Sequence, residues 1–291
     1  MKKTFSIVIP SYNEEKTILE CLESILSQRV PEGFELINIT VVSSSDDDTN
    51  EIVRRLMIEN KKIKLIVEDE RKGKVSAINL FLRDEDVDIC VLCDADITLS
   101  KHSLANLLQE FEDQKVGGTT AIPMVKNGKK NIVQKLGCLI WEMHRATTKV
   151  NGKFSLLWAF KNEIDALDIN VGSDDSAVQN LILSKGFSTT QAENSIVYCS
   201  VPDNFGEYID QRVRWRGCQL QMIESHPEFS IDTKFNKIIT PLIKFLVFNP
   251  HKIPLFVLAS TIELYIIYKS KARMKENENA FSQWEQIGSS R

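Results

Sequence analysis

Apolar residues follow two different spacings in the first third of the chain. Short runs of β-branched and other apolar residues predict strands at 5–9, 36–42, 63–67 and 87–93. Between these runs, apolar residues at helical spacing predict helices at 14–26, 50–60 and 74–82. Such strict alternation is typical of βαβ units with a parallel sheet. We therefore expect an α/β fold with a Rossmann-type sheet and helices on both faces.

The pattern becomes less regular after residue 100. Helices are predicted at 103–113, 134–149, 174–185 and 204–224, and strands at 117–125, 154–160 and 195–201. The aromatic stretch 154–160 fits either a core strand or a surface that stacks on a sugar. From residue 236 the composition changes to two strongly apolar stretches, at 238–248 and 254–268. We expect one α/β domain at 1–235 and an apolar helical region at 236–291.

Composition excludes several classes of protein. Hydrophobic residues make up 43% of the 291 residues and charged residues 26%, as in an ordinary globular protein. The net charge of −4 argues against a nucleic-acid partner, which would require a basic surface. No G-x-G-x-x-G motif follows the first predicted strand, which speaks against a dinucleotide cofactor. The four histidines lie far apart and suggest no zinc site.

The cysteines and the N-terminus indicate a reducing compartment. Cys90 and Cys93 spell C-x-x-C, but an odd spacing on a strand points two side chains to opposite faces. A shared metal or redox role is therefore excluded if the strand forms. No long apolar segment precedes Pro10, so we expect no signal peptide and a cytoplasmic setting.

Two carboxylates follow the predicted strand 87–93 directly, at Asp94 and Asp96. Ligands of open α/β sheets bind outside the carboxyl ends of the strands. Mg²⁺ prefers one or two carboxylates together with substrate phosphates. Alone, an acidic pair after a strand is more often a solvated turn or a helix cap.

Four further segments accompany this acidic pair. They are I-P-S-Y-N-E-E at 9–15, K-G-K-V-S-A-I-N at 72–79, G-S-D-D at 172–175 and Q-R-V-R-W at 211–215. In order and spacing the five segments resemble glycosyltransferase family 2, the inverting transferases of the GT-A fold. The last segment resembles the Q-x-x-R-W signature of the cellulose, chitin and hyaluronan synthase branch. The resemblance covers residues 5–225.

The resemblance implies a reaction and a set of partners. It implies transfer of a sugar from a nucleotide-diphosphate donor, with a UDP-sugar expected, to a hydroxyl of a glycan or lipid-linked acceptor. It also implies Mg²⁺ or Mn²⁺ as the cofactor. A nucleotidyltransferase and a non-catalytic nucleotide-sugar sensor are the alternatives from other classes.

The resemblance also implies roles for individual residues. The residues that it implies for donor contact are Pro10, Tyr12, Asn13, Glu14, Lys74, Asn79 and Asp94. The residues that it implies for metal binding are Asp96 and Asp94. Asp175 is the expected general base, with Asp174 beside it. Diphosphate and acceptor contacts fall on Gln211, Arg212, Arg214 and Trp215, with Arg212 a less certain helper.

One segment departs from the family pattern. The family often has D-D-G-S-T-D after the second strand, whereas residues 41–49 read V-V-S-S-S-D-D-D-T here. Asp46 or a serine hydroxyl is expected to take over the contact with the base or ribose.

The apolar C-terminal stretches leave three alternatives open: packing within the protein or a homodimer, peripheral contact with a membrane, and a membrane span. A spanning helix needs about 20 apolar residues, and both stretches are shorter. Glu263 interrupts the second stretch, and Pro241, Pro250 and Pro254 are expected to break any continuous helix. Basic side chains follow at Lys269, Lys271, Arg273 and Lys275. They would suit anionic headgroups on the cytoplasmic face of a membrane.

Overall fold

A computed structural model describes residues 2–128, 130–169, 171–225, 235–276 and 281. Its first half contains β1 (Lys3–Ser11), α1 (Ile18–Leu26), β2 (Phe34–Ser43), α2 (Thr49–Glu59), β3 (Ile63–Val67), α3 (Lys74–Asp84) and β4 (Ile89–Cys93). Each of these elements overlaps the strand or helix predicted for it. The alternating pattern of the sequence is therefore confirmed in this half.

The second half continues with shorter and longer elements. It contains β5 (Thr98–Leu99), α4 (Ser103–Gln109), a 3-10 turn (Glu110–Glu112), β6 (Val116–Val125), α5 (Ile132–Asn151), β7 (Leu157–Lys161), α6 (Asp174–Ser184), β8 (Ser188–Cys199) and α7 (Phe205–Ser225). The chain then forms α8 (Phe235–Phe248), a 3-10 turn (Pro250–Lys252) and α9 (Ile253–Glu276). Strand β8 begins seven residues before the predicted 195–201 strand, because its first part pairs in parallel with β6.

The described strands form one eight-stranded sheet in the order β3-β2-β1-β4-β7-β6-β8-β5. The first four strands are parallel, as expected. Strand β7 is antiparallel to both β4 and β6, so the sheet as a whole is mixed. The carboxyl ends of β1 and β4 therefore lie beside the start of β7, where Cys93 is paired with Leu157.

Apolar side chains fill the space on both faces of the sheet. One cluster joins the sheet to α1, α2 and α4, and the other joins it to α3 and α6. Cys93 belongs to the first cluster and Cys90 to the second, which confirms that they point to opposite faces. Trp158 is fully buried and stacks on Phe154 at 4.9 Å, so the stretch 154–160 contributes a core strand.

The C-terminal helices are longer than the prolines suggested. Pro241 lies inside α8 without ending it, and Pro254 lies in the first turn of α9, where proline is tolerated. Helix α9 has 24 residues, which at 1.5 Å per residue gives about 36 Å. The prediction that the second stretch is too short to span a membrane is therefore wrong. By length and composition, the segment Pro250–Glu276 is sufficient.

Candidate active site

A cavity of about 290 Å³ opens at the carboxyl ends of β1 and β4, between α3, α5, α6 and α7. This is the place where ligands of open α/β sheets bind. Twelve of the fifteen predicted site residues line it: Pro10, Tyr12, Glu14, Lys74, Asp94, Asp96, Asp174, Asp175, Gln211, Arg212, Arg214 and Trp215. Segments more than 200 residues apart in sequence thus meet at one site.

The other three predicted residues lie outside the cavity lining. The backbone N–H of Asn13 donates to Ser45 Oγ at 2.8 Å. The side-chain Oδ1 of Asn13 accepts from the N–H of Asp46 at 3.0 Å. These bonds join the loop after β1 to the loop after β2, and the Asp46 side chain is exposed. The side-chain amide of Asn79 donates a hydrogen bond to the Leu167 carbonyl and accepts one from the Leu167 N–H, both at 2.8 Å. These bonds hold the segment that leads to α6.

Lys74 links two of the acidic segments. Its Nζ lies 2.7 Å from Asp94 Oδ1 and 3.1 Å from Asp174 Oδ2. Gly73 has φ +94°, a conformation that favours glycine, and this turn places Lys74 at the first residue of α3. Burial alone would lower the pKa of Lys74, but the Asp174 and Asp94 carboxylates raise it above its ordinary value. Lys74 is therefore a cation at neutral pH.

Several carboxylates line the cavity near Lys74, and they outnumber this single lysine: Asp94, Asp96, Asp174 and Asp175. Burial raises the pKa of the Asp94 carboxyl, and the neighbouring charges of Asp96 and Asp175 raise it further, against the lowering effect of Lys74. Crowded carboxylates of this kind are stabilised by an additional cation. Over the described ranges, no three His, Cys, Asp or Glu side chains converge as a complete metal cage. Asp94 and Asp96 both line the cavity and are the residues that could hold a divalent cation, since carboxylates are preferred ligands of such ions.

Asp175 is held by the first turn of α6. Its Oδ1 accepts hydrogen bonds from Ser173 Oγ, from the Ser176 N–H at 2.6 Å and from Ser176 Oγ at 3.2 Å. Asp174 is only 5% exposed and forms the ion pair with Lys74. A Cβ on Gly172 would lie 2.7 Å from the Cys218 carbonyl oxygen, so the glycine lets this loop approach α7 closely. The two adjacent acids thus have different environments.

Helix α7 presents one face to the cavity. Tyr208, Gln211, Trp215 and Cys218 recur every three or four residues and share that face. The Trp215 indole lies 6.5 Å from that of Trp141 on α5, with 37° between the ring planes. The Arg212 guanidinium lies 4.6 Å from the Trp215 ring centre. Two indoles therefore form an aromatic wall at the α5–α7 side of the cavity.

Arg212 has a second partner outside the cavity. Its Nη2 donates to Glu263 Oε2 on α9 at 2.9 Å, and Arg216 donates to Oε1 of the same carboxylate. The Arg212 side chain is 8% exposed and that of Glu263 is 22% exposed. Arg212 thus lies between the carboxylate of α9 and the Trp215 ring.

Sequence reasoning missed several residues of the site. The Arg71 guanidinium lies 3.7 Å from the centre of the Tyr12 ring, and both side chains line the cavity. Arg71 directly precedes the K-G-K motif, but nothing in its own position marked it. Trp141 is an isolated aromatic residue on a predicted helix, and its contact with Trp215 depends on how α5 and α7 pack.

His144 is a further buried polar residue behind this wall. Its Nε2 lies 3.1 Å from Ser155 Oγ and 3.2 Å from Thr148 Oγ1. Burial, with a contribution from the positive charge of Lys153, lowers the pKa of His144 to about 3. The imidazole is therefore neutral at physiological pH, and its ring packs against the two indoles of the wall, 5.4 Å from Trp141 and 6.3 Å from Trp215.

Comparison with known proteins assigns the fold to a class of enzymes. Residues 6–162 match the family model described as Glycosyl transferase family 2. The chain belongs to glycosyltransferase family 2, and the resemblance drawn from its motifs is confirmed.

Curated relatives match a larger part of the chain. A poly-beta-1,6-N-acetyl-D-glucosamine synthase of Staphylococcus aureus is 24% identical over 227 residues, covering 72% of this chain and 53% of the relative. The protein of the same description from Staphylococcus epidermidis is 25% identical over 226 residues, with the same coverage. The chain thus spans about half the length of these relatives.

Solved structures share the fold. A mannosyltransferase from Pyrobaculum calidifontis, in complex with GDP-Man and Mn²⁺, is 22% identical with a TM-score of 0.61, covering 97% of this chain and 86% of its own. S. aureus TarS in complex with UDP is 16% identical with a TM-score of 0.50, covering 95% and 92%. The GT-A-like α/β fold with an apolar C-terminal helix is thereby confirmed.

Proposed function

We propose that the chain transfers a sugar from a nucleotide-diphosphate donor to a hydroxyl of a glycan or lipid-linked acceptor, with inversion at the anomeric carbon. The observation that carries this proposal is the meeting of the D-x-D, D-D and Q-x-x-R-W segments at one cavity. Family membership supports the transferase class, and the names of the curated relatives support polysaccharide synthesis. A UDP-sugar is the donor that we favour.

The donor would lie across the floor of the cavity. Tyr12 and Arg71 stack at the end formed by β1 and the loop before α3, which suits a planar base. Asp96 and Asp94 would hold Mg²⁺ or Mn²⁺. That ion, when bound, would offset the negative charge of the leaving diphosphate. The mannosyltransferase relative was solved with Mn²⁺ and GDP-Man, which supports the use of a divalent cation.

Arg214 would bind the same diphosphate from α7. A guanidinium donates two parallel hydrogen bonds to phosphate oxygens, which makes it well suited to this contact. The resemblance gives Arg212 only a less certain part in diphosphate contact, and its pairing with Glu263 argues for a different role. We therefore assign diphosphate contact to Arg214 with Gln211, and not to Arg212.

Asp175 would accept the proton of the acceptor hydroxyl as its oxygen attacks the sugar. Its three hydrogen bonds fix the carboxylate at the start of α6, whereas Asp174 is committed to Lys74. Trp215 and Trp141 would form the wall against which the acceptor sugar packs. A single displacement forms no covalent enzyme intermediate. Cys218 lines the cavity, but burial raises the pKa of its thiol to about 12, so it is not a thiolate nucleophile at neutral pH.

A donor screen tests the proposal. The full chain, with Mn²⁺, would be incubated separately with UDP-GlcNAc, UDP-glucose and GDP-mannose, and nucleoside diphosphate release would be measured with N-acetylglucosamine oligosaccharides as acceptors. We expect release from one donor and its loss in Asp96→Ala. Pyrophosphate release would point to a nucleotidyltransferase instead. Tight donor binding without release would point to a sensor.

We also propose that α8 and α9, in the C-terminal region that follows the 1–235 transferase domain, contact an anionic membrane surface peripherally. Only 17% of the most apolar window of Pro250–Glu276 is buried. Large apolar side chains are exposed at Val247, Phe248, Val257, Leu264, Tyr265 and Tyr268. Exposed basic side chains follow at Lys271, Arg273 and Lys275, and these would suit anionic headgroups.

The position of Glu263 argues against a membrane span. Its carboxylate is paired with two arginines of α7, and moving α9 into hydrocarbon would break both ion pairs. Flotation with vesicles of phosphatidylcholine and phosphatidylglycerol tests the peripheral contact. We expect Val257→Glu with Leu264→Glu to abolish binding. Ile58→Glu, at an apolar residue of α2 that is at least as exposed, should leave binding intact. A homodimer that does not float would contradict the membrane contact.

A further inference from the structure

Glu263 is the acidic residue within the apolar first part of α9. Its carboxylate pairs with Arg212 at 2.9 Å and also with Arg216, so it joins α9 to the helix that carries the Q-R-V-R-W segment. Burial alone would raise the pKa of Glu263, but Arg212 and Arg216 lower it below its ordinary value. The carboxylate is therefore charged at neutral pH while it lies largely inside the protein.

Arg212 transmits this contact to the cavity. Its guanidinium is bonded to Glu263 and lies 4.6 Å from the centre of the Trp215 ring. Since Arg212 is 8% exposed, it has little room to leave this position. Arg216 also donates to Gln219 Oε1 at 3.0 Å, and its side chain does not line the cavity. The geometry thus forms a chain of contacts from Glu263 through Arg212 to Trp215.

A second ion pair between the same helices provides a comparison. Lys269 Nζ of α9 lies 3.3 Å from Asp210 Oδ1 of α7, with side chains that are 44% and 66% exposed. Exposed pairs of this kind contribute little to stability, and neither residue lines the cavity. A substitution at Asp210 is therefore a control: it weakens an ion pair between α7 and α9 that has no connection to Trp215.

We infer that Glu263 is a positioning residue, which fixes the Trp215 indole through Arg212 and so makes the acceptor side of the cavity depend on α9. The acceptor role of Trp215 rests on the proposed function. The geometric claim does not, since it concerns only how the indole is held. An apolar helix that looks like an appendage would then be part of the active site.

Near-ultraviolet circular dichroism of the full chain tests the geometric claim. Glu263→Gln should change the indole bands, because the Arg212 guanidinium loses the anion that holds it over the ring. The same substitution in a Trp215→Phe background should produce no such change, and Asp210→Asn should leave the bands unaltered. An equal change in both backgrounds, or in Asp210→Asn, would overturn the inference.

Two further measurements complete the test. Arg212→Lys keeps the charge pair but loses the planar stacking on Trp215, so it should reproduce the change in the indole bands even if Glu263→Gln fails to fold. With N-acetylglucosamine oligosaccharides as acceptors, Glu263→Gln should raise the acceptor KM roughly tenfold and leave the donor KM within about twofold. Equal effects on both constants would contradict the positioning role. If the wild-type chain transfers nothing, the proposed function fails while the spectroscopic result still decides the geometric claim.

Discussion

Asp174 and Asp175 are adjacent in sequence but should respond in opposite ways to the same substitution. Asparagine is nearly isosteric with aspartate and removes the charge. In Asp175→Asn, the new amide would keep an oxygen that can accept from Ser173 Oγ and from the Ser176 N–H, so the first turn of α6 should persist. In Asp174→Asn, the change removes a charge from the buried pair with Lys74.

The magnitudes follow from these contacts. Asp175→Asn should cost only about 0.5 kcal/mol of unfolding free energy, from the loss of a negative charge near the helix N-terminus. Asp174→Asn should cost about 2 kcal/mol, because Lys74 keeps Asp94 but loses one of its two charged partners. In a chain of 291 residues, that cost corresponds to a fall in Tm of about 3 °C.

Activity should show the opposite order of severity. Loss of a general base lowers the rate by roughly 10²–10⁴, or about 3–6 kcal/mol of activation free energy, with donor affinity unchanged. The assay is therefore nucleoside diphosphate release together with calorimetric donor binding and a thermal melt for each variant. If Asp175→Asn turned over at the wild-type rate while a folded Asp174→Asn was inactive, the base would be Asp174 and our assignment would be wrong.

Three other predictions concern the cavity and the buried histidine behind its aromatic wall. Chelation of divalent cations, or Asp96→Ala, should abolish transfer and weaken donor binding in calorimetry, and full activity in excess EDTA would contradict the metal site. Arg214→Lys should weaken UDP binding, whereas Trp215→Ala should weaken acceptor use, and donor and acceptor constants unchanged in both variants would refute these roles. Since burial keeps His144 neutral with a pKa of about 3, acid should destabilise the fold as the unfolded chain takes up a proton below pH 6.5. Urea unfolding should show about 2 kcal/mol of stability lost between pH 8 and pH 5, and this loss should be absent in His144→Gln.

Most helices and strands could be predicted from local patterns, because the apolar spacing that defines a helix or strand is set by residues close in sequence. The alternation of apolar runs and helical spacing predicted β1 to β4 with their helices, and the period of two correctly separated Cys90 from Cys93. The antiparallel insertion of β7 between β4 and β6 depends on pairing between distant segments, which no local pattern encodes. The length of α9 was underestimated, because Pro254 lies in its first turn and Glu263 finds partners on α7.

The candidate site was predicted by its motifs and completed by packing. Asp94, Asp96 and Asp175 occur in short motifs, which could be identified from their order along the sequence. The structure brings these side chains to one cavity. Asn79 shares a motif with Lys74, but its amide satisfies the backbone of Leu167 instead of facing the cavity. Trp141 gives no signal of its own, since its place in the site follows from the packing of α5 against α7.

The most direct test of the central claim is product analysis after reaction with the best donor from the screen. We predict one nucleoside diphosphate released for each new glycosidic bond, with the anomeric configuration opposite to that of the donor in the nuclear magnetic resonance spectrum of the product. Asp175→Asn should bind the same donor and form no such bond. A product with retained configuration, or a donor that binds without forming any bond in the wild-type chain, would contradict the account.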